Sequence, residues 1–156
     1  MLPIRFGLEI PDRSFASRAP TMSKIYALSI KQPWASLLIS GRKTIEVRSW
    51  TTRIRGRILI HAARVPDSRP EAWKWVTDDI RPLTALGGGI IGEAQLFECR
   101  SYPQATAFVT DLSLHLNDPS WFQEKGLHGF VFRNAVPLPF RPWPGNVRFF
   151  TVEEKK

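Results

Sequence analysis

Leu28-Ser29-Ile30-Lys31-Gln32-Pro33-Trp34-Ala35-Ser36-Leu37-Leu38, followed two residues later by Gly41-Arg42-Lys43-Thr44-Ile45-Glu46-Val47-Arg48-Ser49-Trp50, is the stretch of this 156-residue chain that decides its fold. Tyr26 to Ile30 is a short apolar strand. Pro33 sits where a first helical turn tolerates its missing N–H, and Trp34, Leu37 and Leu38 follow at i, i+3 and i+4, one stripe of a helix. Gly41 predicts the end of that helix, because glycine accepts the left-handed turn there. From Lys43 to Trp50 the period changes to two. Ile45 and Val47 face one way, and Thr44, Glu46, Arg48 and Trp50 the other.

Further along, a basic turn leads into a strand from Arg57 to Ala63. Ser68 and Glu71 have capping-box spacing around Pro70, which predicts a helix carrying Trp73, Trp75 and Val76 and ending near Asp79. Gly87 to Gly89 introduce a strand from Ile90 to Cys99, Ser101 with Gln104 predicts a short helix through Phe108, and Asp118-Pro119 opens a turn. Three β-rich segments close the chain: Gly129 to Arg133, Val136 to Phe140 and Val147 to Glu153. Short strands with scattered helices and no long βαβ units predict an α+β domain, a small mixed β-barrel with peripheral helices. Residues 1–22, with three prolines and no periodicity, read as a disordered or non-native extension, leaving 23–156 as a single domain.

The composition agrees. The length fits one core, and 43% hydrophobic residues is too many for a disordered chain. Every apolar run is interrupted before the roughly 18 residues that a membrane span needs. Cys99 is the lone cysteine, and His61, His115 and His128 show no ligand spacing, so no disulfide, metal or cofactor is expected, and a reducing cytoplasmic setting is. The net charge of +8 is concentrated: between Lys31 and Arg69 nine cations face only Glu46 and Asp67. Such a patch attracts polyanions, nucleic acid first, unless it is simply a solvated face.

Other motifs fail on context. Gly87, Gly89 and Gly92 match G-x-G-x-x-G, but they introduce a strand where a dinucleotide site needs a helix. Lys43-Thr44 follows a helix end instead of opening one, so it is no phosphate loop. Cys99 and His61 lie in apolar strands and read as core residues.

Gly41, Lys43, Glu46 and Arg48 fill the pattern G-x-K-x-x-E-x-R, and here the chain resembles the ASCH domain family of the PUA-like superfamily. The flanks Gln32 to Leu38, Arg48-Ser49-Trp50 and Arg55-Gly56-Arg57 look closest to the domain of the transcriptional coactivator for which the family is named. The resemblance is strong from Leu28 to Ala63 and continues weakly to Val152. It implies a barrel with a cleft beside the first helix, lined by the motif's Lys, Glu and Arg, that binds RNA or modified nucleosides. Small bacterial members include an amidohydrolase acting on N4-acetylcytidine, and others have been described as ribonucleases. The amidohydrolase branch has a threonine where this chain has Glu46, and Glu93 and Glu124 are the carboxylates available to replace its later acid.

Residue chemistry points to the same cleft. Glu46 and Arg48 share a strand face, and Lys43 stands at the helix-to-strand turn. Arg48 can fork to a phosphate, Glu46 can accept from an exocyclic amino group, and Trp34 and Trp50 offer stacking faces, with Gln32 beside them. Arg53, Arg55 and Arg57 form the expected phosphate rim. The expected partner is RNA, single-stranded nucleic acid or a modified nucleoside. The alternatives are a metal-independent hydrolase using Lys43 and Glu46, and a coactivator-type module contacting DNA or protein.

Overall fold

The computed structural model describes residues 22–155, so the extension expected at 1–22 lies outside the described residues apart from Met22. Six strands form one mixed sheet in the order β2-β5-β4-β3-β1-β6. They are β1 (Met22–Ile30), β2 (Ile45–Arg48), β3 (Gly56–Ala62), β4 (Gly89–Tyr102), β5 (Leu127–Pro142) and β6 (Phe149–Lys155). β1 runs parallel to β3, and every other pairing is antiparallel. Four short α-helices decorate it: α1 (Trp34–Ile39), α2 (Pro70–Trp73), α3 (Ala105–Thr110) and α4 (Leu112–His115). Among the described residues no helix is long and apolar enough to cross a membrane.

The expected barrel is not closed by hydrogen bonds, since β2 and β6 end the strand order. Side chains bring the two margins together. Trp50, just beyond β2, packs edge-on against Phe130 of β5 at 5.0 Å and Phe149 of β6 at 5.7 Å, while Phe130 and Phe149 stack at 5.9 Å. Arg48 of β2 donates from Nη2 to the Ser29 carbonyl oxygen of β1 at 2.8 Å. Curvature comes from register shifts along the long β4–β5 ladder. β2 pairs with β5 only at residues 128–131. Beyond that β5 is an edge, which admits Pro137, Pro139 and Pro142 without loss of a ladder hydrogen bond on that side.

The core lies between the sheet and α1, whose six residues are all buried. Gly92 permits this approach: a Cβ there would come within 2.6 Å of Ile39 Cγ2. The last glycine of the G-x-G-x-x-G run therefore serves helix-on-strand packing. Three other expectations fail. The separate strands at 129–133 and 136–140 are one, because Asn134 at φ +54° bends β5 without ending it. The helix from Pro70 toward Asp79 stops at Trp73, and Ser68 does not cap it. Instead Asp67 accepts the Arg69 backbone N–H at 2.9 Å. Similarly, Ser101 belongs to β4, and α3 starts after Gln104 with no side-chain cap.

Candidate ligand cleft

The cleft opens where β1, α1 and β2 meet. α1 ends at Ile39 with Ser40 as its C-cap, Gly41 turns the chain at φ +80°, and the Arg42 and Lys43 amides both donate to the Leu37 carbonyl at 3.1 Å. This turn aims Lys43 inward, where it is 1% exposed. Its Nζ donates to the His115 carbonyl oxygen at 2.7 Å and lies 4.8 Å from the Trp34 ring centroid. Burial, partly offset by Glu46, lowers its pKa to about 8.

In β2 the expected alternation holds. Val47 packs with the Tyr102–Phe108–Leu127 cluster and reaches the cleft only at its rim toward the adjoining hollow, while the Glu46 and Arg48 side chains supply the charges on the cleft lining. Glu46 is only 7% exposed. Its Oε1 stands 4.0 Å from Arg48 Nε, and its Oε2 is buried without a hydrogen-bond partner among the described residues. A buried carboxylate oxygen in that state is costly unless a donor arrives.

The opposite wall comes from the β3–α2 connection. Trp34 Nε1 donates to Asp67 Oδ2 at 2.9 Å, Arg69 grips the same carboxylate through Nε and Nη2, and the Arg69 guanidinium lies 3.6 Å from the Trp121 ring centroid. Burial pushes the Asp67 pKa up, but these donors outweigh it and hold it at about 2. A carboxyl depressed in the fold adds stability above its unfolded pKa near 3.8, which is lost as pH falls toward 2. Asp67→Asn is therefore expected to lower stability by roughly 2 kcal/mol at pH 7 and to flatten acid unfolding between pH 4 and 2. Unchanged acid melts would refute this.

The cleft holds about 340 Å³, with Lys31, Arg48, Arg69 and Arg148 against Glu46 and Asp67 on its walls. Of the expected residues, Trp34, Glu46 and Arg48 line it together. Lys43 lies beneath Trp34, outside the lining. Gln32 is consumed structurally: its Oε1 accepts from Ser36 and its Nε2 donates to the Leu83 and Leu86 carbonyls. Trp50 lines an adjoining hollow. The basic run is set apart from the cleft. Arg57 is paired with Glu93 and with Glu154 at 2.7 Å, Arg55 donates to the Thr52 and Ile54 carbonyls of its own turn, and Arg53 is exposed. Asp67, Arg69, Asn117, Trp121 and Arg148 were not singled out, because only folding brings 67–69, 117–121 and 148 to β2. The D-x-R spacing of Asp67 and Arg69 was the one local signal.

Comparisons with known proteins bear on the family and the fold. The ASCH domain model matches residues 28–136. Human activating signal cointegrator 1 is 34% identical over 138 residues, and the mouse protein 30% over 139, in each case 83% of this chain. The chain spans only 22% of the length of those relatives. The crystal structure of an ASCH protein from Zymomonas mobilis aligns with a TM-score of 0.54 at 18% identity, covering 75% of this chain and 72% of that one, which is a likeness of fold.

Proposed function

The chain belongs to the ASCH domain family, a PUA-like fold proposed to bind RNA, and from that premise we propose that it is a single-stranded RNA-binding module whose cleft takes one base, unmodified or modified. The observation that carries the reading is the orphaned Oε2 of Glu46 inside a cleft whose walls are net positive. An exocyclic amino group or a ring N–H supplies the missing donor, and Arg48 meets the base edge or its phosphate. Trp34 forms the apolar wall, and Arg53 is the member of the basic run left to touch phosphate outside the cleft. The reading includes a cytoplasmic setting, in keeping with the free Cys99.

Binding of a labelled single-stranded RNA across a salt series tests it. Glu46→Gln is expected to weaken affinity about tenfold, the scale of a lost base-edge pair, and to leave the salt slope unchanged because no phosphate contact is removed. Equal affinity in the variant would refute the assignment.

A hydrolase reading is favoured by one observation, the Lys43 amine held at a pKa of about 8 beside Glu46. Lys43 would act as base and Glu46 as proton shuttle on an N4-acylated cytidine or on RNA, once Nζ leaves the His115 carbonyl. Mass analysis of products from N4-acetylcytidine and RNA decides it: turnover that survives Lys43→Ala would eliminate this mechanism. The relatives' name, cointegrator, favours a DNA or protein contact, which competition by single-stranded DNA would reveal as loss of RNA binding.

A further inference from the structure

We propose that the cleft is one of two adjoining base subsites, the second being the hollow between Trp50 and Trp121, so that the ligand is a strand of two or more nucleotides and not a free nucleoside. This rests on the single-stranded RNA reading above and says which class of RNA ligand the site takes.

The two spaces are nearly equal, about 340 and 360 Å³. Val47, Arg48, Arg69 and Asn117 line both, so they form the ridge between them. Two guanidiniums therefore stand where a phosphodiester joining two bases would pass. Arg48 uses Nη2 on Ser29, Arg69 uses Nε and Nη2 on Asp67, and the Nη1 group of each makes no hydrogen bond among the described residues. The hollow adds two held rings. Trp50 is pinned by Phe130 and Phe149, and Trp121 by the Arg69 guanidinium and, edge-on at 6.0 Å, by Trp34. Gln123 and Ser49 supply amide and hydroxyl groups for a base edge. Rings that are already immobilised lose little freedom when a base stacks on them.

The cleft has another neighbour, a cavity of about 450 Å³ over His61, and the chemistry there argues against it as the second subsite. The residues shared with the cleft are Ser29, Ala63, Asn146 and Val147, none of them charged. Its buried histidine is also satisfied: His61 Nδ1 pairs with Ser29 Oγ at 2.9 Å and Nε2 donates to the Trp143 carbonyl at 2.7 Å, while Arg64, the charged residue of that lining, is not shared with the cleft. Gly145 packs on that ring so closely that a Cβ would lie 2.7 Å from His61 Cε1. A strand leaving the cleft is thus drawn across Arg48 and Arg69 toward Trp121.

The test is competition against a labelled single-stranded RNA octamer by the four ribonucleoside 5′-monophosphates and by the sixteen ribodinucleotides. The best dinucleotide is expected to compete about tenfold better than the best mononucleotide, the scale of one added stacked base. Trp121→Ala should remove most of that gain while weakening mononucleotide competition much less, the smaller loss coming from the Arg69 and Trp34 side chains that Trp121 steadies, and Trp121→Phe should restore most of the gain, since phenylalanine keeps a stacking face. Mononucleotides and dinucleotides of equal strength would overturn the second subsite and leave the RNA reading standing. An equal loss for both ligands in Trp121→Ala would show a structural role only and overturn it too. An octamer that fails to bind at all would overturn both readings.

Discussion

Arg48→Ala is expected to weaken single-stranded RNA binding by more than tenfold and to lower the melting temperature by on the order of 10 °C, because one side chain serves the cleft and the fold. Its charged hydrogen bond to the Ser29 carbonyl ties β2 to β1 across the open seam. Losing such a bond costs about 1.5–3 kcal/mol. It is also the cation nearest the orphaned Glu46 carboxylate, at 4.0 Å, so truncation strands a mostly buried negative charge. The two contributions separate in a double-mutant cycle. Adding Glu46→Gln to Arg48→Ala should recover part of the lost stability and none of the lost affinity. A double variant no more stable than Arg48→Ala alone would show that the pair is uncoupled and that Arg48 acts only through Ser29. Arg48→Lys should keep part of the salt dependence and lose the forked contact.

The second large effect is a pH dependence. Wild-type stability is expected to rise by about 2–3 kcal/mol between pH 7 and 10, and a Lys43→Met variant to lack that rise. The sign follows from Lys43: the folded protein binds its proton with a pKa of about 8, the unfolded chain with one near 10.5. Between those values the unfolded state carries more protons, so raising the pH favours folding. The window closes near pH 10, where burial and the Asp111 hydrogen bond have raised the Tyr102 hydroxyl in the fold well above the ordinary tyrosine value near 10, so further base favours unfolding. Lys43→Met keeps the stem against Trp34 and removes the charge, but leaves the His115 carbonyl without its donor. A variant whose stability still climbs from pH 7 to 10 would show that Lys43 titrates as it does in water.

Much of this was legible in the chain. The i, i+3, i+4 stripe of Trp34, Leu37 and Leu38, the left-handed Gly41 and the switch to period two at Lys43 predicted α1, its end and the two faces of β2, since each depends on backbone geometry within a few residues. The four motif positions, together with their flanks between Leu28 and Ala63, also identified the family. The same local rules misread Ser68 and Ser101, whose spacing suits a cap but whose surroundings supply another partner or a strand. They divided β5 at Asn134, because a turn residue and a bend within a ladder look alike until the partner strand is in place. The site shows the limit most clearly. Period two put Glu46 and Arg48 on one face, yet nothing in the sequence said that Lys43 would turn under Trp34 to the His115 carbonyl, or that Arg57 would be taken by Glu93 and Glu154. Nor did it show that Asp67 and Arg69 would build the opposite wall. Faces and turns are short-range properties that the sequence by itself determined; which charges stay paired, buried or open to a ligand depends on segments far apart in the chain, from Ser29 with Arg48 to Arg57 with Glu154, and only the packing of those segments in the folded sheet decided it.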